Sequence, residues 1–153
     1  MFKLNNKAFS FPELLISVGI LSIIMVGMVN VFVSASVLGE LSENSGAAYD
    51  QAASVLDEIR HDGYDTAQIN YVNGGSPGNT FALTKPVGMG VITLDTSTPN
   101  LLLVTIDVSY RNKYNRITGE DVNLNGVLDP TEDSNSNGKI DSPVSLTAYI
   151  AKR

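Results

Sequence analysis

Residues 7–40 read KAFSFPELLISVGILSIIMVGMVNVFVSASVLGE. From Leu14 to Leu38 there are 25 residues without a charge, and the next ionisable side chain is Glu40. As a helix this run spans roughly 37 Å, enough to cross a hydrocarbon core of ~30 Å with some tilt. Lys3 and Lys7 precede it and Glu40 and Glu43 follow it. The excess of positive charge on the N-terminal side predicts a single pass with the N-terminus in the cytoplasm. One carboxylate, Glu13, stands at the entrance of the run. A charged group at that depth is expensive, and a plain anchor has no use for it. Gly19, Gly27 and Asn30 interrupt the run, as packing positions or as places where the helix loosens.

Beyond the apolar run, Leu41, Ser45, Ala48, Ala52, Leu56 and Ile59 recur at intervals of three and four. That is an amphipathic stripe. It predicts that the helix continues over 39–63, with Arg60 and His61 in its last turn and Gly63 as the stop. Residues 64–80 are rich in Gly, Asn and Ser and read as loop. Strand patterns follow at Thr80–Thr84, Val91–Asp95, Leu101–Tyr110 and Val144–Ile150. In the third, Val104, Ile106, Val108 and Tyr110 alternate with Thr105, Asp107 and Ser109. Period-two alternation predicts a sheet with one buried face, and the helical stripe is its natural cover. The expected fold class is α+β: a long N-terminal helix packed on a small antiparallel sheet.

The head of the chain resembles the prepilin signature of type IV pilins and type II secretion pseudopilins. Ala8 stands where that family usually has Gly, Phe9 matches the usual new N-terminus, and Glu13 follows four residues later. Pro12 departs from the usual apolar residue, but proline is tolerated in a first helical turn. The resemblance implies that prepilin peptidase cuts between Ala8 and Phe9, that the Phe9 amine is methylated, and that Glu13 guides assembly with neighbouring subunits. Phe9 and Glu13 lie on one helix face. Pairing Glu13 with the N-terminal amine of a neighbour would relieve the cost of a carboxylate in lipid. The leader would be residues 1–8, and the apolar segment would stay with the mature protein, unlike that of a secretory signal peptide. The segment 53–65 and the ending 144–153 look similar to minor pilins of the pilus-modification type and to a minor pseudopilin of the secretion tip.

The net charge is −6, and there is no cysteine and a single histidine, His61. That charge argues against nucleic acid as a partner. The absence of cysteine excludes disulfides and cysteine-ligated zinc, and His61 reads as a solvated residue. Six acids fall within the 22 residues from Glu120 to Asp141. Asp121, Asn123, Asn125, Gly126, Val127, Asp129 and Glu132 fit the calcium-loop pattern D-x-[DN]-x-[DN]-G-x5-E. Alternate side chains supply oxygens, the glycine makes the turn, and the last Glu closes the site with two oxygens. A second copy starts 12 residues later with Asp133, Asn135, Asn137, Gly138, Lys139 and Asp141, and has Val144 in place of the closing acid. The expected ligands are the named Asp, Asn and Glu side chains with the Val127 and Lys139 carbonyls. The second loop is expected to be the weaker. Without flanking helical patterns, and with Pro130 and Pro143 nearby, the pair resembles dockerin-like and thrombospondin-type calcium repeats more than an EF-hand. No arrangement of nucleophile, base and orienting acid suggests an enzyme.

These readings divide the chain into a leader (1–8), a transmembrane and assembly helix (9–38), an amphipathic continuation (39–63) and an outer sheet domain (64–153) with a calcium insert at 117–143. The expected function is that of a structural minor pilin or pseudopilin. Its partners would be other subunits, prepilin peptidase and inner-membrane lipid. Its location would be the bacterial inner membrane and then a periplasmic or cell-surface filament. Pilus and secretion systems share this subunit physics, and the sequence fits both. Two rivals stay open. One is a calcium-dependent adhesin on a pilin-type stalk, for which Tyr110 and Tyr114 beside Arg111, Lys113 and Arg116 are the candidate contacts. The other is a membrane-anchored calcium-binding protein that never polymerises.

Overall fold

The computed structural model describes residues 10–152. Lys3, Lys7, the expected leader and the Ala8–Phe9 junction lie outside the described residues. One helix, α1 (Phe11–Asn70), is followed by β1 (Thr80–Thr84), β2 (Val87–Asp95), β3 (Leu101–Arg111), β4 (Ile117–Thr118) and β5 (Val144–Ala151). The chain divides into two compact units between Glu40 and Leu41.

In the first unit the Ser10 carbonyl accepts the Leu14 N–H at 3.2 Å and opens the helical ladder. Pro12 lies in the first turn, where a missing N–H leaves no bond unmade. Ser17 and Ser22 each turn their hydroxyl back to the carbonyl four residues earlier, at 2.8 Å. Their polar groups are thereby satisfied within the helix, as an apolar environment requires. The apolar stretch is long enough to cross a membrane and none of it is buried.

In the second unit the stripe packs as expected from Ser45 onward, while Leu41 is exposed. Ala48, Ala52, Leu56 and Ile59 are buried against Leu83, Ile92, Leu102, Val104, Ile106, Val108 and Tyr110. Small Ala48 and Ala52 let the helix approach the sheet closely. The sheet is antiparallel throughout: β1 pairs β2, β2 pairs β3, and both β4 and β5 pair β3. Central β3 carries the longest alternation and buries the most.

Four sequence expectations change, the first being that β2 begins at Val87 and not at Val91. Gly63 breaks the helix as expected, at φ 79°, ψ 179°, but the chain turns helical again up to Asn70, over residues expected to be loop. Glycine reaches that left-handed φ without a Cβ clash. Buried Ala67 and the 2.9 Å bond from the Tyr71 hydroxyl to Asp62 hold the added segment. Burial, with Asp62 second, holds the Tyr71 phenol above its ordinary pKa. Arg60 and His61 lie in the turn before that break, and Arg60 pairs with Asp57 at 3.1 Å. Tyr110 is no surface contact. It is fully buried, with its hydroxyl 2.7 Å from Ser45. Finally, β3 is buried on two faces at its C-terminal end, since Asp107 and Ser109 are buried as well.

Candidate metal centre

What covers the second face of β3 is the insert between β4 and β5. The Asp121 N–H donates to the Ser109 hydroxyl at 3.3 Å, and the Ser142 hydroxyl donates to the Val108 carbonyl. Gly126 lies over β1 and β2: a Cβ there would stand 2.6 Å from the Thr80 methyl. The insert is seated on the sheet through the polar side of the strands. Burial pushes the Asp107 carboxyl on this face above its ordinary pKa, Asp141 adding to the effect against a bond from Ser145.

Within the insert the two 12-residue copies fold alike. Their fourth and sixth residues are left-handed in both: Leu124 (φ 57°) and Gly126 (75°), Ser136 (59°) and Gly138 (72°). The first aspartate nucleates each loop. Asp121 accepts the N–H groups of Asn125 and Gly126 at 3.0 and 2.8 Å, and Asp133 those of Asn137 and Gly138 at 3.0 and 2.9 Å. The asparagines make the same turns: Asn123 and Asn125 accept from Asn125 and Val127, Asn135 and Asn137 from Asn137 and Lys139. Their amide N–H groups converge on the ninth-position carboxylate. Asp129 receives them at 2.7 and 3.4 Å, and Asp141 at 2.6 Å from each side.

Glu132 closes the first loop. Its Oε1 accepts Val122 N–H at 2.9 Å and Asn123 N–H at 3.2 Å, and its Oε2 accepts Asp129 N–H at 3.3 Å. Asp121 is wholly buried and Glu132 is 8% exposed, and these backbone donors are what make such burial tolerable.

Val144 plays no part in closing the second loop; it is a core residue of β5. That seat is filled from the other direction, by Glu120. Its Oε1 accepts from the N–H of Ser134 at 3.2 Å and from the Ser134 hydroxyl, and its Oε2 accepts Asp141 N–H at 3.0 Å. Its own N–H donates to the Asp141 carbonyl at 2.9 Å, as that of Glu132 does to Asp129 at 2.9 Å. A signal for this was present. Glu120-Asp121 and Glu132-Asp133 repeat at the same 12-residue spacing, so the period begins one residue before the calcium-loop pattern does.

The donors of each loop are carboxylate, amide and carbonyl oxygens, a set suited to a hard divalent cation of flexible coordination such as calcium. Among the described residues no three His, Cys, Asp or Glu side chains are gathered as a metal group. In each loop asparagine amides and a backbone carbonyl would complete the shell. Glu13 is exposed on α1, remote in sequence from this centre, and Ala8 and Phe9 fall outside the described residues. Comparison with family models, with curated proteins and with solved structures gives no match.

Proposed function

We propose that the chain is a minor pilin or pseudopilin, a structural subunit of a type IV pilus or type II secretion filament, with a calcium-stabilised insert. One observation carries the proposal. In the sequence the Ala8-Phe9 pair and Glu13 stand, at the spacing of the prepilin signature, just ahead of a membrane-length apolar stretch of α1 that is unburied. Such a surface requires lipid or other apolar helices around it. Lipid serves before assembly and neighbouring subunits serve afterwards. Prepilin peptidase would expose the Phe9 amine. Glu13, costly in lipid, would then pair with that amine on a neighbour and draw subunits together within the membrane. The layout of helix and antiparallel sheet suits a subunit that carries its domain on a filament.

In the insert, Asp121, Asn123, Asn125, Asp129, Glu132 and the Val127 carbonyl would hold one calcium ion. Asp133, Asn135, Asn137, Asp141 and the Lys139 carbonyl belong to the second. A bound cation would relieve the mutual repulsion of the acids and order the loops over the sheet.

Glu13→Val tests the assembly role. The variant should be inserted and processed, yet recovered from sheared filaments at a small fraction of the wild-type amount. Incorporation at the wild-type level would overturn the pairing argument. Deletion of the gene, with surface pili, DNA uptake and secretion scored together, assigns the system.

A further inference from the structure

Glu120 belongs to neither calcium-loop pattern, and nothing in the proposed function uses it. Three of its contacts nevertheless match those of Glu132. Each glutamate accepts the N–H of its loop's second residue on Oε1, Val122 for Glu132 and Ser134 for Glu120. Each accepts the N–H of the ninth residue on Oε2, Asp129 and Asp141 respectively. Each returns its own N–H to that ninth residue's carbonyl at 2.9 Å. Glu132 ends the first loop and adjoins the second through Asp133. Glu120 adjoins the first through Asp121 and closes the second across 21 residues. Neither loop can open without displacing a residue bonded to the start of the other.

We propose that Glu120 is the closing residue of the second loop, and that Glu120 and Glu132 clasp residues 120–141 into one cooperative unit. This replaces the expectation that the second loop lacks a closing acid. The clasp rests on contacts within the protein. Its consequence for metal rests on the calcium reading above: the second loop then has a closing carboxylate like the first, and the unit takes two ions together.

Hydrogen exchange on the full-length chain in detergent separates the two. In EDTA, Glu120→Gln should speed exchange across 133–141 by roughly tenfold, the scale of one lost charge-assisted hydrogen bond. It should also speed 121–129, because the loops are coupled, while β2 and β3 keep their protection and report an intact fold. Wild-type exchange in 133–141 would overturn the proposal, and a change confined to 133–141 would overturn the coupling. Calorimetric titration with calcium chloride gives the second readout. Wild type should bind two ions, and Glu120→Gln should lose one and hold the other at least several-fold more weakly. Two ions bound by the variant at unchanged affinity would contradict the role of Glu120. No binding by wild type would remove the calcium reading, and the EDTA result would still decide the clasp.

Discussion

At the scale of single residues the insert depends on positions whose neighbours differ although their roles match. Gly126 and Gly138 occupy the same place in the two loops, at φ 75° and 72°. A side chain is strained at either, by about 1–2 kcal/mol. Only Gly126 also meets the sheet, where a Cβ would stand 2.6 Å from the Thr80 methyl; Gly138 has nothing within 4 Å. Gly126→Ala should therefore lower the melting temperature clearly more than Gly138→Ala, measured on the full chain in EDTA. Equal effects would mean that the first loop is not seated on β1 and β2. The closing role of Glu120 was legible in the repeated Glu-Asp pair, but reading the period from Asp121 placed the missing acid at Val144. The loop pattern carries no information about a residue supplied from before its first position.

At the scale of elements, periodicity was the readable signal. The stripe from Ala48 to Ile59 packs as its spacing indicates, and β1, β3 and β5 lie within one residue of the alternating runs. Failures came where structure is set by distant contacts. The two residues of β4 are a strand only through pairing with Tyr110 and Arg111. The second buried face of β3 exists because the insert folds back over Asp107 and Ser109. Gly63 breaks the helix as its sequence indicates, but the helical segment beyond it depends on Ala67 and Tyr71 joining the core. The helix–sheet contact gives a direct test. Ala52 has no exposed surface, so Ala52→Leu forces extra volume between α1 and the sheet. A loss of about 1–3 kcal/mol is expected in denaturant unfolding. A neutral result would place that face of the helix away from the sheet.

At the scale of the whole molecule, a cation and a membrane-length helix would act on different units. Calcium that binds only the folded insert stabilises it by roughly 2.7 kcal/mol at a hundredfold excess over Kd. For a unit near 100 residues this is a rise of ~10–20 °C in melting temperature. Glu132→Ala should remove most of that rise, since it deletes the closing carboxylate of the first loop and uncouples the second. It should also lower stability in EDTA, by leaving three backbone N–H groups without their acceptor. Magnesium, with its tighter octahedral shell, should replace calcium poorly. An unchanged melting curve in millimolar calcium would reduce the insert to a polar turn region.

If the chain is a processed filament subunit, the sharpest consequence lies at the Ala8–Phe9 junction. Intact-mass and N-terminal mass spectrometry of the protein recovered from its native membranes addresses that junction directly. The mature chain should begin at Phe9 and carry one added methyl group, with Glu13 now the fifth residue. A chain that retains Met1, or one cut beyond Leu38, would contradict the account.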